Sequence, residues 1–380
     1  MYLTTGFHEG ARNSLIEKLQ LSAMEGMLVL DPFNVNYLSG FYHIPSERPI
    51  GIYIPVNGES VLFVPRLEKE HAQHDWTGEL RVYPEYPGKV NPLLWMCKQI
   101  AADKLAVDNI SGMCFQTILS AKPAAQLSGH VGDLRLIKDS EEMKFVTQAA
   151  RYADFSVASA RQAIAHGYKD GITEREVLEH LKHETLKKMQ QDHKEHPDYP
   201  LSCGATVHAG ELGALPHGLP TGRPIGVGDT VIVGVGAGVA GYHAESACTF
   251  MVGEPSSDQQ RWMDTALAIR NLAVREIKPG VPCGQVDDLH LKLVRHAGME
   301  EFNRHRLGHG IGLQNHEAPW LQSGDRRPLE PGMVVSSEPG IYVPGKGGIR
   351  LIDTLVLTEE GNCVVSRYMA EHLDDYVIHV

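Results

Sequence analysis

The sequence has few cysteines and no long apolar run. Six cysteines are spread over 380 residues without a CxxC pair, which is typical of a reducing compartment and predicts buried free thiols. No stretch approaches the ~20 apolar residues that a membrane span requires. The N-terminal residues MYLTTGFHEGARNSL lack the basic start and apolar run of a secretory leader. We therefore predict a cytoplasmic protein that does not enter a membrane.

The sequence also lacks a basic region. Lys and Arg total 35 against 47 Asp and Glu, which gives a net charge of −12, and no Lys or Arg run offers a surface for nucleic-acid phosphates. Nucleic acid is therefore not expected as a partner. With 42% apolar and 22% charged residues, the composition is globular and excludes collagen-like, coiled-coil and largely disordered proteins. A chain of this length predicts two domains.

The first part of the chain alternates between β-rich and helical stretches. The apolar run MLVL, ended by Asp31-Pro32, predicts a buried strand. Two β-rich runs flank Asn57-Gly58, a strong hairpin signal. Helical and strand-like stretches then alternate up to about residue 135. This pattern predicts a mixed α/β domain over residues 1–137.

A second domain is predicted over residues 138–380. Asp139 or Ser140 can cap a helix whose first turn carries Glu141 and Glu142, and Thr173 can cap another. Each helix pair is followed by β-rich segments, among them LSCGATVH, DTVIVGVGAG and YHAESACTFMVG. We expect a sheet with helices packed on one face, and an α/β (α+β) fold class overall.

Histidines and carboxylates concentrate in four segments of this second domain. His309 lies between glycines in HRLGHGIGLQNHEAPW, and His217 lies between prolines in LPHGLP. Glu338 ends an apolar, strand-like run. His243 and Glu245 are two residues apart, so they share one face of a strand. Such a group can ligate a metal, share a proton or hold a cationic substrate group, and the spacing leaves these alternatives open.

Five segments, in this order, resemble the creatinase, prolidase and aminopeptidase P family, which is M24-like and has the pita-bread fold: PHGLPTGRPIGVGDTVIV, GYHAESACTF, GHGIGLQNHEAPW, SSEPGIY and GGIRLIDTLVLTEEG. Upstream, NVNYLSGF is similar to the N-terminal domain of that family. The resemblance implies a creatinase/prolidase-type domain over residues 1–137 and a catalytic pita-bread domain over residues 138–380. It also implies hydrolysis of a C–N bond.

The resemblance further implies a reduced metal site. The metallopeptidase members hold two divalent ions with Asp, Asp, His, Glu and Glu, and the matching residues here are Gly234, Glu245, His309, Glu338 and Ile352. Glycine has no donor atom and isoleucine offers only hydrocarbon. We expect no dinuclear site. Either one ion (Mn, Zn or Fe) is held by Glu245, His309 and Glu338, or the site works without metal.

Catalytic roles follow from the same resemblance. In creatinase, which works without metal, the loop histidine that matches His217 is the general acid and base. We expect this role for His217, and we expect His316 to stabilise an oxyanion or return a proton to the leaving nitrogen. Glu245 and Glu338 are expected to orient a cationic group of a small zwitterionic substrate.

Three further residues are predicted to bind substrate. Arg48 resembles the arginine that creatinase contributes from a partner subunit to bind a carboxylate, which implies a homodimer. His243 resembles a residue of ectoine hydrolase and is also a candidate fourth ligand. Arg350 is expected to support the site through an ion pair with Asp353.

The substrate class stays open at this stage. An Xaa-Pro type peptide, a creatine-like compound and a cyclic amidine all fit the resemblance, although Ala247 stands where creatinase has an acidic residue. The alternative from another class is a non-catalytic binding protein on a dead peptidase fold.

Overall fold

The computed structural model describes residues 3–86, 88–373 and 375–380. It divides into two compact units, residues 1–135 and 136–380, called here the N-terminal and the C-terminal unit. Both combine helices and strands, so the predicted mixed α/β class is confirmed. Among the described residues, no helix is both long and apolar enough to cross a bilayer. All six cysteines are free thiols, as predicted, but Cys363 is exposed and Cys114 is only half-buried.

The N-terminal unit is built on a six-stranded sheet. Its helices are α1 (Thr5–Leu21), α2 (Pro32–Ser39), α3 (Lys69–Asp75), α4 (Pro92–Gln99), α5 (Gly112–Ala121) and α6 (His130–Leu134). Its strands are β1 (Gly26–Val29), β2 (Gly51–Pro55), β3 (Val61–Pro65), β4 (Glu79–Tyr83), β5 (Leu105–Val107) and β6 (Gln126–Leu127). The strand order is β4-β3-β2-β1-β5-β6, with β1 antiparallel to β2 and parallel to β5.

Local sequence signals explain two features of this sheet. Gly58 adopts φ 112° in the loop between the antiparallel strands β2 and β3, a conformation that suits glycine. Asp31, predicted to end a strand, also starts α2, because its carboxylate accepts hydrogen bonds from the backbone N–H groups of Phe33 and Asn34. Pro32 occupies the first helical turn, where its missing N–H has no cost.

The C-terminal unit contains five helices and eleven strands in its described part. The helices are α7 (Ser140–Gly167), α8 (Glu174–Asp192), α9 (Ser257–Glu276), α10 (Cys283–His296) and α11 (Tyr368–Glu371). The strands are β7 (Leu201–Ala209), β8 (Thr230–Val239), β9 (Tyr242–Val252), β10 (Gly308–Gly310), β11 (Glu317–Leu321), β12 (Val334–Ser337), β13 (Gly340–Val343), β14 (Gly347–Arg350), β15 (Asp353–Thr358), β16 (Gly361–Val364) and β17 (Val377–Ile378).

These strands form three sheets, with the orders β17-β9-β8-β7, β11-β10-β12-β15-β16 and β13-β14. Helices α7 and α8 pack on β7, β8 and β9. Both helices begin with a capping box, in which Asp139 and Thr173 accept from the backbone N–H of Glu142 and Glu176 while those glutamates accept in return. The cap predicted at Asp139 or Ser140 is therefore Asp139.

Candidate active site

One pocket of the C-terminal unit collects most of the predicted site residues. It has a volume of about 1070 Å³, which is large enough for a small ligand. Six of the predicted side chains line it: His217, Glu245, His309, His316, Glu338 and Arg350. Gly234 and Ile352, the positions of the missing ligands, line it as well.

Close strand packing positions the central histidine. His309 lies on β10, and its partner across the antiparallel ladder on β12 is Ser336. A Cβ at Gly308 would collide with the carbonyl of Ser336, and a Cβ at Gly310 would collide with the carbonyl of Ala318. The two glycines thus let three strands approach one another around His309, which is 1% exposed.

Two carboxylates converge on the imidazole. His309 Nε2 lies 2.7 Å from Glu338 Oε1 and 3.7 Å from Glu245 Oε2. Ser336 Oγ donates to Glu245 Oε2 at 2.6 Å. His309 Nδ1 lies 3.0 Å from the carbonyl of Gly310, to which it can donate. In the neutral ring this bond places the lone pair on Nε2, toward the carboxylates.

The surroundings of Glu245 and Glu338 shift the pKa values of the two carboxylates in opposite directions. Burial, together with the negative charge of Glu338, raises the pKa of Glu245. Burial opposes the charged form of Glu338 as well, but the adjacent His309 and the charge of Arg350 outweigh it and hold the pKa of Glu338 low. Burial likewise favours neutral His309, yet the two carboxylates raise the pKa of that ring. These opposite shifts favour the anionic form of Glu338 and the protonated form of Glu245.

The residues present fit one metal ion. The donor atoms of Glu245, His309 and His316 all lie within 4.8 Å of one another. His309 Nε2 is buried and makes no hydrogen bond of acceptable geometry, although Glu338 Oε1 is 2.7 Å away. Donor atoms that crowd together without bonding to each other suit a shared cation, and three protein ligands with an open position are typical of catalytic zinc.

The two positions that match the missing family ligands carry no oxygen donor in their side chains. A Cβ at Gly234 would lie 2.5 Å from Arg350 Nη2, so the guanidinium fills the space that a carboxylate at position 234 would need. Ile352 is 4% exposed and presents hydrocarbon to the pocket. A positive charge and an apolar side chain thus stand where the family has two oxygen donors, an environment that disfavours another cation.

His243 does not lie in this pocket. It shares a strand with Glu245, as predicted, but its Nδ1 faces the carbonyl of Gly312 at 3.2 Å and its Nε2 lies 3.5 Å from Ser202 Oγ. Burial lowers the pKa of His243. The predicted roles as substrate contact and fourth ligand are not supported by this position, because the ring lies against Gly312 and Ser202 and does not line the pocket.

The predicted ion pair between Arg350 and Asp353 is wrong. Asp353 Oδ2 lies 2.5 Å from Arg270 Nε, and both side chains are buried. Arg350 Nη2 donates instead to Thr206 Oγ1 at 2.8 Å. The physical reason is topological: β14, which ends at Arg350, pairs with β13, whereas β15, which begins at Asp353, pairs with β12. The chain changes sheets between the two residues, so their side chains diverge.

Arg48 lies in the N-terminal unit and is partly exposed. Its Nη1 donates to Glu47 Oε1 at 2.6 Å. Surface pairs of this kind contribute little to stability. The predicted role of Arg48 in a partner subunit stays a prediction.

The loop that carries His217 is held on both sides. His208 Nε2 lies 2.6 Å from the carbonyl of Gly218, the residue after His217. The buried carboxylate of Glu174 accepts from the backbone N–H of Ala209 and from the backbone N–H and hydroxyl of Thr221. These bonds fix the loop ends, so the exposed imidazole of His217 is presented to the pocket from a defined position.

Several pocket residues were missed at the sequence level. Arg304, His305 and Arg306 line the pocket beside His309. The guanidinium of Arg306 lies 4.5 Å from the ring centroid of Trp320, and its Nε donates to the carbonyl of Gly308. Their signal was present, since NRHR directly precedes the glycine-rich LGHG segment. Thr206 gave no signal, because it meets Arg350 only through the folded chain.

The chain is similar to known proteins over nearly its whole length. The sequence model of the metallopeptidase family M24 matches residues 144–359. The sequence model of the creatinase/prolidase N-terminal domain matches residues 12–146. An uncharacterized peptidase of Staphylococcus aureus is 30% identical, over 94% of this chain and 98% of its own length.

Solved structures give the same picture. The prolidase from Pyrococcus horikoshii OT3 is 25% identical with a TM-score of 0.83, covering 94% of this chain and 98% of its own. The Xaa-Pro dipeptidase from Bacillus anthracis is 27% identical with a TM-score of 0.81, covering 95% and 98%. The predicted family resemblance and the two-part creatinase/prolidase and pita-bread organisation are confirmed.

Proposed function

The chain belongs to metallopeptidase family M24, and on that premise we propose that it hydrolyses the C–N bond of a small zwitterionic substrate, with an Xaa-Pro dipeptide as the first candidate. The similar solved structures are a prolidase and an Xaa-Pro dipeptidase. One observation carries the proposal: His309, flanked by Glu245 and Glu338, shares a pocket with His217 and His316. A non-catalytic scaffold has no need for this convergence of buried charged groups, which is costly to fold.

His217 is the general acid and base in this proposal. It is exposed on a fixed loop at the pocket, so water and substrate can reach it. An imidazole changes its charge near neutral pH, which suits a group that takes a proton from water and returns it to a leaving nitrogen.

His316 is the proposed donor to the oxyanion, and it lies beside His309. Its ring lies 4.0 Å from that of His309, centroid to centroid. Burial and the charge of His309 lower the pKa of His316, so it is available as a neutral donor toward a developing oxyanion.

Glu245 and His309 would hold a single divalent ion, Mn, Zn or Fe, together with Glu338, whose Oε1 lies 2.7 Å from His309 Nε2. His316, whose donor atom lies within 4.8 Å of those of Glu245 and His309, stays available for the oxyanion in this assignment. Such an ion would supply a Lewis acid that polarises the carbonyl of the scissile bond. The chain's own contribution is to keep the His309 lone pair on Nε2 through the bond of Nδ1 to Gly310, and to hold Glu245 through Ser336.

The charges that line the pocket support a zwitterionic substrate. Three arginines, Arg304, Arg306 and Arg350, face two glutamates, Glu245 and Glu338. In a chain with a net charge of −12, this local excess of positive charge favours a ligand with a carboxylate, while the glutamates can receive an amine.

We also propose a homodimer in which Arg48 contributes to the neighbouring subunit's site. The support is the family resemblance together with the partial exposure of Arg48. Light scattering of the purified chain tests the assembly: a dimer mass is expected, and a monomer would remove this role.

Hydrolysis of a panel of Xaa-Pro dipeptides tests the function. The purified protein is loaded in turn with Mn, Zn and Fe, and creatine and cyclic amidines form a second panel. We expect cleavage of at least one Xaa-Pro dipeptide and a loss of about 10²- to 10⁴-fold in kcat for His217→Ala. The matched control is His183→Ala, an exposed histidine on α8.

Three outcomes would contradict the proposal. Cleavage confined to the amidine panel would replace the substrate class, whereas unchanged turnover in His217→Ala would remove the assigned acid and base. Absence of turnover on both panels with every metal would favour the binding protein on a dead peptidase fold.

A further inference from the structure

Arg350 is a buried arginine without an acidic partner. It is 7% exposed and lines the pocket. Nη2 donates to Thr206 Oγ1 at 2.8 Å, Nη1 lies 3.5 Å from the carbonyl of Pro216, and Nε has no hydrogen-bond partner. Among the described residues, no carboxylate lies within ion-pair distance of this guanidinium. The Arg350 charge lowers the pKa of Glu338 without pairing with it, but the buried Nε–H has no acceptor, which is unfavourable unless a ligand supplies one.

The backbone prevents Arg350 from escaping to solvent. Arg350 N donates to Thr249 Oγ1, and that hydroxyl donates to the carbonyl of Arg350, both at 2.9 Å. These bonds fix the backbone from which the side chain extends, and the guanidinium lies against Gly234 on β8, which leaves room for it. Any side chain at position 234 would meet Nη2, so glycine keeps the space open and the guanidinium unpaired.

We propose that Arg350 and Thr206 form an anion-binding subsite that receives the carboxylate of the substrate in the space left by the missing ligands at Gly234 and Ile352. The inference rests on the proposed function and deepens it by assigning the carboxylate of the substrate to a residue of the same chain. A guanidinium binds a carboxylate through parallel charge-assisted hydrogen bonds, and the free Nε supplies a donor for such a pair.

The position of the subsite fixes the direction of the substrate. Arg350 contacts Pro216, the residue before His217, so a carboxylate at Arg350 lies beside the loop of the proposed acid and base. The other end of the substrate then points toward Glu245, which lines the same pocket. The substrate class is a compound with a free carboxylate close to the bond that is cleaved.

Calorimetric titration with L-proline and L-prolinamide tests the subsite without turnover. The wild type is expected to bind proline more tightly than the amide, by about 10- to 100-fold, the effect of hydrogen bonds to a charged group. In Arg350→Gln this preference should disappear. Arg295→Gln, which changes an exposed arginine on α10, should keep it.

Gly234→Asp provides a second, independent variant. Its carboxylate would lie against the far end of the flexible Arg350 side chain, which can shift to pair with it. The variant retains Arg350, and we expect it to lose the proline preference as Arg350→Gln does. Far-ultraviolet circular dichroism checks that both variants are folded.

The possible results separate this proposal from the proposed function. A wild type without carboxylate preference, or a preference that survives in both variants, would overturn the subsite even if dipeptides are cleaved. A preference that depends on Arg304 instead would move the carboxylate to another residue and overturn it as well. Loss of preference in both variants supports the subsite even if no tested dipeptide is cleaved.

Discussion

Two buried arginines of the C-terminal unit have opposite surroundings. Arg270 on α9 is 5% exposed, and its Nε lies 2.5 Å from Asp353 Oδ2 while Nη2 donates to Oδ1 at 3.1 Å. Arg350 is 7% exposed, and its guanidinium bonds to the Thr206 hydroxyl and the Pro216 carbonyl and lies beside the Tyr342 hydroxyl, without an ion pair to a carboxylate. Both cations lose hydration, which costs several kcal/mol for each. In the first case the chain itself supplies a paired carboxylate; in the second we propose that a ligand supplies it.

The largest expected effect comes from breaking the complete pair. Arg270→Met leaves Asp353 buried without a counter-charge, so the free energy of unfolding should fall by about 3 to 5 kcal/mol. Urea denaturation followed by circular dichroism measures it. Arg367→Met, at an exposed pair with Glu371, should change stability by less than about 1 kcal/mol. A similarly small effect of Arg270→Met would contradict the idea that the pair of Arg270 with Asp353 stabilises the fold.

A smaller effect is expected at the buried carboxylate of Glu142. Burial raises the pKa of Glu142 to about 7, although Tyr242 Oη and the backbone N–H of Asp139 donate to it. A raised carboxyl pKa stabilises the protein below about pH 4.5, and this contribution is lost as the pH rises through 7. The free energy of unfolding should therefore fall over this window, by about 1 to 3 kcal/mol from this residue.

Glu142→Gln tests that assignment, because glutamine has no proton to lose and can still bond to Tyr242. The decline of stability between pH 4.5 and 7 should be smaller in this variant than in the wild type. Glu179→Gln, which changes an exposed glutamate on α8, serves as the control. Parallel curves for Glu142→Gln and the wild type would show that Glu142 is not the titrating group.

The smallest expected change in the free energy of unfolding is that of Arg350→Met, and it tests how Arg350 differs from Arg270. Arg350→Met removes a buried charge that forms no ion pair with a neighbouring carboxylate, so the free energy of unfolding should stay within about 1 kcal/mol of the wild type or rise. The same denaturation experiment measures it. A loss above about 3 kcal/mol would mean that Arg350 stabilises the fold as Arg270 does, and that the pocket is not waiting for an anion.

Local signals in the sequence predicted much of the fold. The Asn57-Gly58 hairpin and the capped starts of α7 and α8 follow from short-range chemistry that any context preserves. Helix α2 was missed despite Asp31-Pro32 before it. Its residues from Asn34 to Ser39 are buried on every side, so it lacks the polar face by which helices are recognised.

The pocket was predictable only in part. His217, Glu245, His309, His316 and Glu338 were found because they lie in characteristic segments, and the structure brings them together. The contacts that decide how the pocket works are long-range and have no local pattern. Thr206 bonds to Arg350 although the two residues are far apart in the sequence. Asp353 pairs with Arg270, and not with the nearby Arg350, because the chain changes sheets between positions 350 and 353.

The number of metal ions bound per chain tests the central claim most directly. The purified protein is equilibrated with excess Mn or Zn, freed of unbound ions by gel filtration and measured by elemental analysis. One ion at most is expected, and the variant with both Gly234→Asp and Ile352→Glu should bind a second, because it regains two oxygen donors. Two tightly bound ions in the unaltered chain would contradict the assignment of the second position to the Arg350 guanidinium.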